Sequence, residues 1–166
     1  MASRQFFDPL ALLRVSPLLT STCSLWFAWD QHFFLHIFNK PEHRAKSNEL
    51  LPSYFRIFFR GGVTRVLVLL SLTMSASVAN LYAKRPSLEQ RGSLGWYAAG
   101  ASFAFAHLLF VPAIAPKVQA IAEDSSNGNS TEDLAAWLRI NALRGLTVDV
   151  AAWASLVVAV TRSLRA

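Results

Sequence analysis

The chain has 166 residues, of which 53% are hydrophobic and 16% charged. Soluble domains carry about a quarter charged residues; with a mean hydropathy of +0.32, this composition excludes that class and fits one small integral membrane domain over residues 1–166. The formal charge of +6 would suit a nucleic-acid binder, but the basic residues lie between apolar segments, as in membrane proteins whose loops meet headgroups, so no nucleic-acid partner is expected.

Four apolar segments follow in order: Leu10–Phe38, Gly62–Tyr82, Ser93–Ile114 and Leu134–Leu164. Each reaches the ~20 residues that a helix needs to cross the hydrocarbon core, and such continuous runs exclude barrel strands. The fold class is therefore all-α, an antiparallel four-helix membrane bundle with both termini on one side. The first segment exceeds the apolar core of a secretory signal, so it reads as a retained helix. Cys23 stands alone within it and is expected to be a buried small residue, without disulfide or metal.

The connections are polar. Asn39–Arg60 reads as a long loop whose second half, LLPSYFRIFF, is expected to lie as a short helix at the membrane surface. Lys84–Arg91 is a short turn, and Ala115–Asp133, with EDSSNGNSTED, reads as a flexible loop. Thr131 is expected to cap the fourth helix. Asn129-Ser130-Thr131 is a glycosylation sequon that leans this side towards a lumen. Lys and Arg are too evenly spread to fix orientation; the expected location is the endoplasmic reticulum membrane.

Ionisable groups inside lipid are costly and usually face the bundle interior. Here they are Asp30, Arg65, His107, Arg144 and Asp149, joined by Asn141. At ~1.5 Å of rise per residue, Asp30 lies about 12 Å from one face, Asn141 and Arg144 about 10 and 15 Å, His107 about 10 Å and Asp149 about 22 Å. Trp137, Asn141, Arg144 and Val148 recur on one face of a regular helix. On such a helix Asp149 falls about 80° from Asn141 on one side and Arg144 about 60° on the other. Trp26 shares a face with Asp30. Plainer roles stand beside this one. Arg65 and His36 can snorkel to headgroups, His107 can be a satisfied core histidine, and the charges can form a structural ion network. His32 and His36 lack a metal-binding pattern; no metal and no cofactor is expected.

Two carboxylates and an arginine in a dry pocket suit acid–base chemistry, because one environment holds a carboxylate ionised while another keeps it protonated. Epoxide opening needs that division: a base for the attacking hydroxyl or water and an acid for the departing oxygen. The aromatic residues, among them Trp26, Trp29, Phe33, Phe34, Trp96, Phe103, Phe105 and Trp137, would suit a long lipid-soluble substrate.

The motif W137-LRI-N141-AL-R144 resembles the last helix of four-span anthrone oxygenase-like membrane proteins of fungal secondary metabolism. PLLTSTCSLWFAWDQHFF, PEHRAKSNELLPSYFRIFFR and SASVANLY resemble small membrane epoxide hydrolases of polyene α-pyrone polyketide pathways, of the aurovertin and citreoviridin type. That resemblance implies cofactor-free hydrolysis and cyclisation of lipophilic polyepoxide polyketides. The broader family pattern carries over Trp137, Asn141 and Arg144. Chemistry places Asp30, Arg144 and Asp149 in the catalytic role, with Trp26, His107, Trp137 and Asn141 at the substrate. A cofactor-independent anthrone oxygenase, with His107 as base, and a non-catalytic membrane scaffold are the alternatives. Besides substrate, membrane lipid is the expected partner; a homo-oligomer is left open.

Overall fold

The first helix begins where the sequence supplies a cap. The Asp8 carboxylate accepts hydrogen bonds from the backbone N–H groups of Leu10 and Ala11, and Pro9, which has no N–H to satisfy, takes the first helical position. In this computed structural model, which describes residues 8–165, α1 spans Pro9–His36 and ends in a 3₁₀ turn, Ile37–Asn39. Helix α2 runs Arg44–Tyr82, followed by a short α3, Arg85–Gln90. The third span joins α4, Leu94–Ala106, through a 3₁₀ turn, His107–Phe110, to α5, Val111–Glu123. The fourth joins α6, Ser130–Arg144, through a π turn, Gly145–Asp149, to α7, Val150–Ser163. All four spans are long and apolar enough to cross a membrane.

Parts of all three expected connections are helix: the expected turn Lys84–Arg91 contains α3, and LLPSYFRIFF is helical as expected but continues α2 rather than standing as a separate short helix. Arg44–Arg60 is the first part of α2, whose 39 residues measure about 58 Å against a hydrocarbon core of ~30 Å, so the charged Arg44 end stands beyond the bilayer. Pro52 lies within it, where packing on both sides outweighs one missing hydrogen bond. Ala115–Glu123 likewise continues the third span as α5. The cap expected from Thr131 is supplied across the bundle, by Asn48 of α2, whose side-chain oxygen accepts from the Thr131 N–H at 2.9 Å. Cys23 is exposed rather than buried.

The spans alternate in direction. At one end Leu35, Leu51, Phe55, Ile121, Leu134 and Trp137 pack together, and at the other Leu88, Tyr97, Leu156 and Ala159. Buried positions of α1 are Arg14, Pro17, Ser21, Ala28, Gln31 and Leu35, a seven-residue repeat that marks a seam of left-handed packing. The seam is mostly small or polar, whereas Trp26, Trp29, Phe33 and Phe34 are exposed on the outer face. That inversion follows from the solvent. Lipid accepts large apolar side chains as well as a core does, so helices meet through small residues and hydrogen bonds.

Candidate functional site

Three elements meet around the π turn of the fourth span. On a regular helix Arg144 and Asp149, five residues apart, would point about 140° away from each other. The π turn Gly145–Asp149 adds a residue to that turn, brings Asp149 onto the Arg144 face and leaves Val148 half-buried. The Arg144 Nε then donates to Asp149 Oδ2 at 3.2 Å. The other carboxylate oxygen, Oδ1, lies 2.8 Å from His107 Nδ1, at the 3₁₀ turn of the third span. All three side chains are buried.

The carboxylate thus holds an imidazole by one nitrogen and a guanidinium by one N–H. With Nδ1 donating to Asp149, Nε2 of His107 is the nitrogen left to accept a proton, the tautomer that a carboxylate–imidazole pair fixes in proton-transfer enzymes. His107 and Arg144 both line a cavity of about 110 Å³. Asp149 does not border it and is joined to its wall only through these two neighbours. Gln31, Trp137 and Asn141 complete the polar part of the wall, and Phe58, Val63, Leu67, Val111 and Ile114 contribute to the apolar part. Asn141, only 2% exposed, has a side-chain oxygen without a hydrogen-bond partner among the described residues, and so has Trp137 Nε1. Both atoms keep unspent hydrogen-bonding capacity in residues that line the cavity.

Of the residues expected at the site, the structure brings together His107, Trp137, Asn141, Arg144 and, behind them, Asp149. It does not bring in Asp30 or Trp26. Asp30 is half-buried and joins none of the hydrogen bonds or ion pairs among the described residues. Its neighbour Gln31, about 100° round the helix, takes the inward position. Trp26 is 67% exposed and belongs to the lipid-facing side. The expected aromatic lining is largely absent for the same reason; of those rings, Trp137 alone borders this cavity, while Trp29 borders a groove between the first and fourth spans. Arg65 is exposed on α2. Gln31 was not anticipated. Its place in the buried seam, two seven-residue steps after Pro17 and three residues after Ala28, is the signal for it.

Comparison with known proteins gives this geometry a setting. The chain is 31% identical over 159 residues to epoxidase pydX of an Acremonium species, a match that covers 94% of this chain and 96% of that protein. It is 30% identical to epoxidase gkaX of Penicillium citrinum, covering 87% and 89%. The chain belongs to this fungal family. A further member, 28% identical, is the oxaleimides biosynthesis cluster protein N of Penicillium oxalicum, covering 95% of this chain and 92% of that one. The family therefore includes a biosynthetic-cluster protein, and the membrane-spanning architecture expected for this chain is present. The names of pydX and gkaX state epoxide formation, whereas the sequence resemblance implied epoxide opening. No family profile matches the chain, and no solved structure matches it.

Proposed function

We propose that this protein is a membrane enzyme of fungal secondary metabolism that opens epoxides on lipophilic polyketide substrates, giving diols or cyclic ethers by acid–base catalysis. One observation carries the reading: a single buried carboxylate, Asp149, bridges His107 and Arg144 at the edge of a largely apolar cavity. The names of the family members support a place in epoxide chemistry.

In the proposed reaction a water or a substrate hydroxyl attacks an epoxide carbon, and the ring C–O bond breaks. His107 Nε2 takes the nucleophile's proton, Asp149 stabilises the imidazolium, and Arg144 balances the carboxylate's charge. The N–H groups of Arg144 beyond Nε, with Trp137 Nε1, donate to the departing oxygen, which the imidazolium then protonates. No electrons are gained or lost. Asp149 is a positioning residue here, and Asp30 has no part.

A second reading, epoxidation itself, is favoured by the names of pydX and gkaX. An alkene, dioxygen, two electrons and two protons would give an epoxide and water, with the electrons from an external reductant and the His107 relay delivering protons. Labelled oxygen separates the two. Purified protein in detergent, given a polyene and the matching polyepoxide, is expected to incorporate oxygen from labelled water into the ring-opened product. Oxygen from labelled dioxygen in an epoxide product would overturn epoxide opening and establish epoxidation.

A further inference from the structure

The cavity's size and the position of its mouth bear on how substrate reaches it. At about 110 Å³ it is well below the ~300–1,000 Å³ of pockets that enclose whole ligands, and below the ~150 Å³ that holds one benzene. A long lipophilic molecule cannot be swallowed; only its reacting end fits. The remainder must leave through the mouth.

The mouth faces sideways. Its rim is built from neighbouring walls of the second and third spans, and Val63, Leu67 and Val111 on that rim are all exposed on the outer surface of the bundle. The third span is irregular where it passes α2 here. It is interrupted by the 3₁₀ turn His107–Phe110 and carries Pro112 at the start of α5. The rim side chains are aliphatic, while the polar groups, Gln31, His107, Asn141 and Arg144, lie among the lining residues that are buried. Arg60 and Arg65 on the same helix are exposed and long enough to snorkel to headgroups, which would put the mouth on the acyl side of that level.

From this arrangement we infer that the site loads from the bilayer through a lateral gap between the second and third spans, and takes one end of an elongated substrate whose apolar tail stays in lipid. The inference rests on the proposed reaction for the identity of the reacting end, but not for the route. It makes Val63, Leu67 and Val111 selectivity residues for tail length and branching.

The test uses the full-length protein in lipid vesicles and a long-chain terminal epoxide with a diazirine in its tail. Photolabelling mapped by mass spectrometry is expected on Val63, Leu67 and Val111, well above Leu109, which is exposed but lies off the rim. Val63→Trp and Val111→Trp are expected to raise KM for the long epoxide by tenfold or more with kcat little changed, while Leu109→Trp leaves both alone. Labelling concentrated on Leu25, Trp29 and Leu146, which line the groove between the first and fourth spans, would overturn the lateral route, as would rim labelling no stronger than at Leu109. Rim labelling without turnover of any epoxide would keep the route and remove the reaction.

Discussion

Two buried polar regions of the bundle behave differently. Near the termini, Tyr97 is wholly buried; its hydroxyl donates to the Arg14 carbonyl at 3.0 Å and lies 3.1 Å from Ser163 Oγ. Asn80 Nδ2 donates to the Leu13 carbonyl, and Arg14 and Arg91 both donate to the Ser163 carbonyl. These bonds tie the first span to the second, third and fourth, and the space between is filled: a Cβ on Gly100 would lie 2.6 Å from Leu156 Cδ2. Around the π turn, the Asp149 bonds link only the third and fourth spans and the space is a cavity; unpartnered buried polar atoms occur in both regions among the described residues, Asn141 Oδ1 and Trp137 Nε1 here, Arg14 Nε and Asn80 Oδ1 there. Polar groups in lipid serve as glue where the space between them is filled, and are placed to act on a ligand where they border a void.

The largest effect is expected at His107. On the proposed reaction, His107→Gln and Asp149→Asn are each expected to lose about 10²- to 10⁴-fold in kcat while the protein remains folded by circular dichroism. Wild-type turnover in either variant would place the catalytic groups elsewhere. Arg144 comes next. Arg144→Lys should lose nearly as much activity as Arg144→Ala, since lysine lacks the planar fork that can serve a carboxylate and a ligand oxygen together. Arg144→Ala should in addition lower stability, by up to about 3–5 kcal/mol, because the buried Asp149 carboxylate loses its guanidinium partner and keeps only the His107 contact. Thermal melts in detergent separate the two variants.

At the terminal end the expected effects fall on stability alone. Gly100→Val should cost about 1–3 kcal/mol by overpacking against Leu156, and Tyr97→Phe about 0.5–1.5 kcal/mol for each hydrogen bond lost. Both should keep normal kcat per folded molecule; an active-site assay on the folded fraction checks this. The smallest effect is expected at Asp30. Asp30→Asn should leave kcat within about twofold, because general acid–base groups usually contribute far more and this one lies outside the cavity. A loss of a hundredfold would return Asp30 to the mechanism.

Hydropathy and segment length by themselves determined that the chain crosses the membrane four times, because a span is set by the thickness of the hydrocarbon core. Polar residues within the spans also pointed to the polar wall of the cavity: Asn141, Arg144 and His107, with Trp137, line it together, since a polar group in lipid has few inexpensive directions but inward, whereas Asp30 and Arg65, chosen on the same ground, do not. Apolar residues gave no such signal. Trp26, Trp29 and Phe33 are as well placed in lipid as in a core, so only packing settled that they face outward, and that Gln31 rather than Asp30 turns inward. Helical periodicity assumes 3.6 residues per turn, and the π turn Gly145–Asp149 breaks that assumption where it matters most. The pairing of Asp149 with Arg144 and His107 was therefore decided by tertiary structure, which supplied the partners that make one irregular turn worth keeping.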